Sequence, residues 1–272
     1  RYLRKEIDLK KKVKNAKVYI IGMGLYELYI NGNKIGDQVL APVPTDYTKN
    51  VKYNVFDVTS QLQEGKNALG TILGNGRFFT MRQDYKPYKI KTFGYPKMLF
   101  NLDLVYDDGS RETIVSDDTW KVTADGPIRC NNEYDGEEYD ATKELGNWSQ
   151  SGYADTSWLK AQLVQEPGGD YEAQMTANMK VMQTIKPLSL KKLNAQTYIL
   201  DMGQNMAGWL RLSVQGKKGQ KVAAKRGENE ASEGLVFAQT SEDNKVGVLL
   251  TLNCETDFVA KNDTYRNFVQ SL

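Results

Sequence analysis

The residues best equipped for chemistry lie between positions 131 and 140. Asp135-Gly136-Glu137 sets two carboxylates around a glycine, with Asn131 and Asn132 just upstream. Carboxylate and amide oxygens this close in sequence suit Ca²⁺, which takes about 6–8 oxygen ligands, or the paired hydroxyls of a sugar. The metal-ligand set read from this pattern is Asp135, Glu137 and Asn132; the competing reading is a hydrated surface loop. Asn75 sits between Gly74 and Gly76 at the end of an apolar run. The glycines allow either a plain turn or a close approach to a ligand whose hydroxyls the amide would bond. Trp158 follows Asp155-Thr156-Ser157. An exposed indole can cover the apolar face of a sugar ring and keep its N–H as a donor. The alternative is a Trp that plugs the core, and Trp120 and Trp148 carry the same ambiguity. The candidate carbohydrate set is therefore Asn75, Asp135, Glu137 and Trp158.

Other chemistries are excluded or weak. The 272 residues contain no histidine, which removes Ser-His-Asp and Cys-His catalysis and His-ligated zinc. Cys130 and Cys254 are too far apart in sequence to form a metal-binding pair, and read most simply as two thiols. Lys and Arg number 36 against 34 Asp and Glu, so charge balance gives no reason to expect a nucleic acid or an anionic membrane as partner. No run of about 18 apolar residues offers a membrane-spanning helix. Gly22-Met23-Gly24 lacks the third glycine and the following helix of a phosphate loop, and reads as a tight turn.

The elements that must position these residues are mostly strands. Ala16–Gly22, Leu25–Ile30, Lys52–Val58, Ala68–Leu73, Met98–Tyr106 and Glu112–Val115 are β-branched, aromatic or alternating, and turn residues separate them. Asn31-Gly32 is the strongest hairpin signal. The expected architecture is mainly β: an antiparallel, jelly-roll-like sandwich over residues 1–166, then part of a second β-sandwich domain over 167–221. Pro167-Gly168-Gly169 reads as the linker between them. Residues 222–272 read as a short α/β tail, with a helix over Ala223–Gly234 and strands over Leu235–Gln239 and Val246–Leu252. That change of pattern predicts a tail separate from the sandwich core.

Several stretches carry a resemblance. Gly24–Val58, Leu73-Gly74-Asn75-Gly76, Tyr106–Trp120, the loop Tyr134–Ala141 and the strand Leu200–Trp209 (LDMGQNMAGW) resemble, in order, the N-terminal part of the bacterial α-L-rhamnosidases of glycoside hydrolase family 78. Pro44 stands where the family usually has Trp, and Thr142 follows Ala141 where it usually has Arg. The resemblance implies an accessory β-sandwich whose partner is a rhamnose-containing carbohydrate. It also implies that catalysis belongs to a helical (α/α)6 barrel whose acidic signature, close to Asp-Glu-Arg-Leu-Gly-Trp-Thr-Gly-Asp, is absent from this sequence. An inverting glycosidase needs two carboxylates about 6.5–9.5 Å apart, and the resemblance places Asp135, Glu137 and Asp140 outside that catalytic domain. The implied chain has no catalytic residues of its own and no required cofactor, with Ca²⁺ as the candidate ion because some accessory domains of the family hold rhamnose through it. The alternative is a part of an active rhamnosidase that shapes the rim of an active site formed elsewhere.

The tail resembles a different protein. Lys217–Leu272, with its Asn253-Cys254-Glu255-Thr256-Asp257-Phe258-Val259-Ala260 block, is similar to translation elongation factor Ts. The resemblance implies Asp257 and Phe258 as contacts to elongation factor Tu, if the tail works as it does in that factor. Most of the factor is missing, and the competing reading for Phe258 is local packing. The first part implies a periplasmic or secreted bacterial parent and the tail a cytoplasmic one, so the compartment stays open.

Overall fold

The computed structural model describes residues 1–80, 92–132, 136–166, 168–194, 197–209, 211, 224–226, 235–239 and 251–252. The chain divides into two compact units, Arg1–Met182 and Gln183–Leu272.

The first unit contains thirteen strands: β1 (Tyr2–Leu9), β2 (Val13–Met23), β3 (Leu25–Ile30), β4 (Asn33–Lys34), β5 (Asn50–Asp57), β6 (Gly65–Gly74), β7 (Lys97–Tyr106), β8 (Arg111–Val115), β9 (Lys121–Thr123), β10 (Ile128–Asn132), β11 (Gly136–Tyr139), β12 (Leu159–Lys160) and β13 (Asp170–Ala173). They build a six-stranded sheet in the order β12-β9-β1-β6-β3-β4 and a five-stranded sheet in the order β13-β5-β2-β7-β8. Pairing is antiparallel except for β13, which lies parallel to β5. β10 and β11 form a separate hairpin.

Alternation explains why these residues make a sandwich. In β3, Tyr26, Leu28 and Ile30 are buried while Leu25, Glu27 and Tyr29 are only partly so. The buried set meets Leu3, Leu69 and Leu73 from its own sheet and Val18, Ile20, Phe100, Leu102 and Leu104 from the other. A period of two puts one side chain in three layers of contact and its neighbour on the opposite face. Trp120 is also in this core, edge-on to Phe100 at 5.1 Å, with its indole N–H donating to the Val115 carbonyl at 3.0 Å. Asn31-Gly32 turns the β3–β4 hairpin with φ of 51° and 86°, the left-handed pair that suits a two-residue hairpin.

The sandwich extends past Pro167-Gly168-Gly169. β13 adds to the edge of the five-stranded sheet, and the Val39 N–H donates to the Met179 carbonyl at 2.8 Å, so residues 170–179 lie along the first unit. The pairing follows from the edge that β5 offers once β2 occupies its other side.

In the second unit, β14 (Ser189–Lys192), β15 (Thr197–Asp201), β17 (Ala224–Arg226) and β18 (Leu235–Gln239) form a sheet in the order β14-β15-β18-β17, and β16 (Gly208–Trp209) pairs with β19 (Thr251–Leu252). Two expectations change here. Part of the segment expected to be helical, Ala224–Arg226, is a strand. The tail is also joined to what precedes it, since β18 pairs with β15 from Thr197↔Gln239 to Asp201↔Leu235. The sequence Leu-Val-Phe-Ala-Gln has the β-branched and aromatic content of a strand, and β15 offers it an antiparallel partner. Most of Val246–Leu252 lies outside the described residues.

Candidate functional site

The candidate residues gather on and beside the outer face of the six-stranded sheet. Register places Tyr2 and Arg4 of β1 beside Ile72 and Gly70 of β6, and these beside Glu27 and Tyr29 of β3. One part of this face is closed. Tyr2, Trp148 and Trp158 form a buried cluster, with Tyr29, Ile72, Ile128, Leu145 and Tyr153 packed against it. Gly70 makes the closure possible, because a Cβ there would come within 2.7 Å of the Trp148 ring. Arg4, wholly buried, fastens the covering segment. Its Nε donates to the Trp148 carbonyl at 2.9 Å and its guanidinium to the Gln150 carbonyl at 2.9 Å, to Glu6 at 2.7 Å and to Asp155. Burial works to raise the Asp155 pKa, but donors from Lys121 and Arg4 outweigh it and hold the carboxyl below its ordinary value.

Trp158 belongs to this closed part. It is 8% exposed, stacked on Trp148 at 6.3 Å and met edge-on by Tyr153 at 5.9 Å. Its surroundings are those of the core-plug alternative, because protein rings occupy the surface a sugar would need.

The neighbouring part is more open, and here two candidates come together. The Asn75 N–H donates to the Asn131 side-chain oxygen at 2.8 Å, and the Asn75 amide donates to the Asn131 carbonyl at 2.7 Å. Asn131 pairs across the β10–β11 hairpin with Glu137. The hairpin thus links Asn75 to Glu137, with the Asn75 backbone N–H and one of its two amide hydrogens used on Asn131. Glu137 is an exposed residue whose carboxyl end is partly desolvated; that desolvation and the negative charge of Glu27 raise its pKa. Glu27 itself is well supplied, accepting from Lys34 Nζ at 2.6 Å and from the Tyr29 hydroxyl at 2.6 Å. Burial, then that bond, then the Glu27 charge raise the Tyr29 pKa. Burial, then Glu144 and Glu137, push Tyr2 up to about 12. On the hairpin's far strand the Tyr139 hydroxyl donates to Glu144. The open part therefore presents Glu27, Glu137 and Glu144 beside Tyr29 and Tyr139, a mixture of oxygen acceptors and phenols suited to hydroxyl groups.

Of the other candidates, Asn132 has a described backbone, paired with Gly136, while nothing is described of its side chain. Asp135, Asp257 and Phe258 lie outside the described residues. Among the described residues no three His, Cys, Asp or Glu converge as metal ligands, and no helix is long and apolar enough to cross a membrane. Cys130 is a half-buried free thiol. Glu27 and Tyr29 escaped attention in the sequence although the signal was present: the alternation of Leu-Tyr-Glu-Leu-Tyr-Ile puts both on the face opposite Leu28 and Ile30. Arg4 gave little local signal, since apart from Glu6 its partners Trp148, Gln150 and Asp155 lie about 150 positions away.

Comparison with known proteins fits this geometry. Residues 191–268 match the bacterial alpha-L-rhamnosidase concanavalin-like domain. An alpha-L-rhamnosidase of Formosa agariphila is 41% identical over 224 residues, 81% of this chain and 23% of its own. The crystal structure of the Streptomyces avermitilis alpha-L-rhamnosidase complexed with L-rhamnose superposes with a TM-score of 0.77 at 33% identity, covering 84% of this chain and 22% of that one. This chain thus spans about a quarter of the length of those relatives. Elongation factor Ts of Christiangramia forsetii is 63% identical over 49 residues, 18% of this chain and 18% of that protein. The family match that covers most of the chain is to the alpha-L-rhamnosidase N-terminal domain, over residues 11–183, and the chain belongs to that family.

Proposed function

We propose that this chain is a non-catalytic accessory region of an α-L-rhamnosidase, and that its first unit binds a terminal rhamnose-type sugar on the outer face of the six-stranded sheet. One observation carries the reading: Asn75 is hydrogen-bonded to Asn131, which pairs across the hairpin with Glu137, a partly desolvated carboxyl that feels the negative charge of Glu27. Rhamnose offers vicinal hydroxyls, and carboxylates accept from two at once. The raised pKa of Glu137 is the state that a bound hydroxyl donor or a cation would relieve. Ca²⁺ suits the same spot through Glu137, with Asp135 and Asn132 as its further oxygen ligands. Trp158 has no part in this reading, because Trp148 and Tyr153 pack against it.

The test has two arms. Affinity electrophoresis through a gel containing a rhamnose-branched polysaccharide is expected to retard the wild type and not the Glu27→Gln, Glu137→Gln double variant. Equal mobility of the two proteins would end the binding claim. Incubation with an aryl α-L-rhamnoside is expected to release no aryl alcohol. Turnover that persists through purification and disappears in the same double variant would overturn the non-catalytic claim.

A second reading has its own support. The relatives named alpha-L-rhamnosidase are about four times as long as this chain, so it also suits the rim of a catalytic domain carried on further polypeptide. Hydrolysis restored by adding the remaining portion of such a relative would favour that reading.

A further inference from the structure

The sequence holds two Asn-Gly pairs, Asn31-Gly32 and Asn75-Gly76, and the fold treats them in opposite ways. Such a pair is open to an internal reaction. The glycine backbone nitrogen attacks the side-chain amide carbon of the asparagine, because no Cβ on the glycine hinders the approach. A C–N bond forms and closes a cyclic imide. The glycine amide proton passes through solvent to the side-chain nitrogen, which leaves as ammonia. Water then opens the imide at either carbonyl and leaves aspartate or its β-linked isomer.

At Asn31 every participant is engaged. The side-chain oxygen accepts from the Ala68 N–H at 2.8 Å, and the side-chain nitrogen donates to the Gln61 carbonyl at 2.9 Å and to Asn67 Oδ1 at 2.8 Å. The Gly32 N–H donates to the Ser149 carbonyl at 2.9 Å. Reaction there must wait for local opening. At Asn75 the nucleophile is unengaged. Among the described residues nothing accepts from the Gly76 N–H, and nothing donates to the Asn75 side-chain oxygen. Only the leaving nitrogen is held, by the Asn131 carbonyl at 2.7 Å. Asn75 is half-buried, so water has access to the imide.

We propose that Asn75 is a site of spontaneous deamidation, from which the fold protects Asn31, and that the conversion loosens the β10–β11 hairpin. The product carboxylate has no hydrogen to give the Asn131 carbonyl, and the facing oxygens repel. The β-linked product also lengthens the main chain and draws the Asn75 N–H away from the Asn131 side-chain oxygen. Two hydrogen bonds that tie the hairpin to the end of β6 are thereby lost, and Glu137 pairs with Asn131 across that hairpin. The reaction and the loosening need no ligand. Only the expected fall in sugar binding rests on the carbohydrate reading.

The folded chain would be aged in mildly alkaline buffer, digested and mapped by mass spectrometry beside synthetic peptides spanning each pair. Both peptides should convert. In the protein Asn75 should convert at least about tenfold faster than Asn31, because freeing Asn31 breaks several hydrogen bonds. In denaturant the two rates should converge. Equal rates in the folded protein, or an Asn75 that keeps its amide while its peptide converts, would overturn the site. Asn75→Asp stands for the normally linked product, and amide hydrogen exchange over β10 and β11 is expected to speed up in it. Aged wild type compared with fresh protein gives the same reading without a substitution. Unchanged exchange in both would overturn the loosening. In the polysaccharide gel, aged protein should be less retarded than fresh. Equal retardation of the two would break the link to the sugar face. A fresh protein that is not retarded sinks the carbohydrate reading alone, since mapping and exchange still decide this one.

Discussion

The two faces of the six-stranded sheet solve opposite problems with the same strands. The inner face is mainly apolar, with Leu3, Leu28, Ile30, Leu69 and Leu73 packed against Phe100, Leu102 and Leu104 of the second sheet and only Asn67 and Thr71 of β6 as fully buried polar neighbours on that strand. The outer face is mixed. Part is sealed by Trp148 and Trp158 over Tyr2 and fastened by Arg4, and part leaves Glu27, Glu137, Tyr29 and Tyr139 at least partly in reach of solvent. The inner face needs volume and little else. The outer face needs particular hydrogen bonds across long sequence separations, and it leaves a carboxyl in a setting that does not favour its charge. A partly desolvated carboxylate near another acid lowers stability, and such groups concentrate where a protein binds or reacts.

Four perturbations would sharpen or break that contrast. The largest effect is expected on the inner face. Phe100→Ala removes a fully buried ring packed against Trp120 and should cost about 4 kcal/mol in a denaturant titration. A cost near zero would mean the inner face is not the stabilising one. Next is Arg4→Ala, which strips the Trp148 and Gln150 carbonyls of their donor and leaves Asp155 with Lys121 alone. About 3 kcal/mol is expected. The loss should come with a change in tryptophan fluorescence, because Trp148 and Trp158 lose their fastening.

A smaller effect follows from protons. Asp155 is held below its ordinary pKa in the folded state, so its contribution is present above the unfolded value of about 3.9 and is lost as pH falls through the folded one. The thermal-midpoint difference between wild type and Asp155→Asn should be constant near neutral pH and shrink below about pH 3.9. A difference that persists into strong acid would assign the loss to packing instead. The smallest effect is at Glu137, whose raised pKa has the opposite sign. Its charged form is disfavoured by folding, so stability declines as pH rises from the unfolded pKa through the folded one. Glu137→Gln should leave stability unchanged or slightly higher at neutral pH while weakening sugar binding. Marked destabilisation would make Glu137 a structural residue.

The sandwich was legible in the sequence because its signals are local. Two-residue alternation marked β3 and β7, and Asn31-Gly32 marked the hairpin, within one residue of where the strands end. What was not legible depended on distant partners. Trp158 looked able to face solvent, since nothing near it announces Trp148 above Gly70 or the Arg4 clamp. Asp170–Ala173 looked like the start of a new domain because a parallel edge pairing leaves no local trace. Leu235–Gln239 read correctly as a strand, yet its partner Thr197–Asp201 could not be inferred from its own residues. Among the candidate site residues, Asn75 and Glu137 drew attention through glycine-flanked and acidic patterns, while their link through Asn131 required the fold.

The central claim is that the open part of the outer face binds sugar, and calorimetric titration with L-rhamnose tests it most directly. The titration would be run on wild type and on the Glu27→Gln, Glu137→Gln variant, each with Ca²⁺ and then with a chelator. The account predicts saturable heat for the wild type, strongest with Ca²⁺, and little or none for the variant at unchanged thermal stability. Indistinguishable heats for the two proteins under both conditions would contradict it.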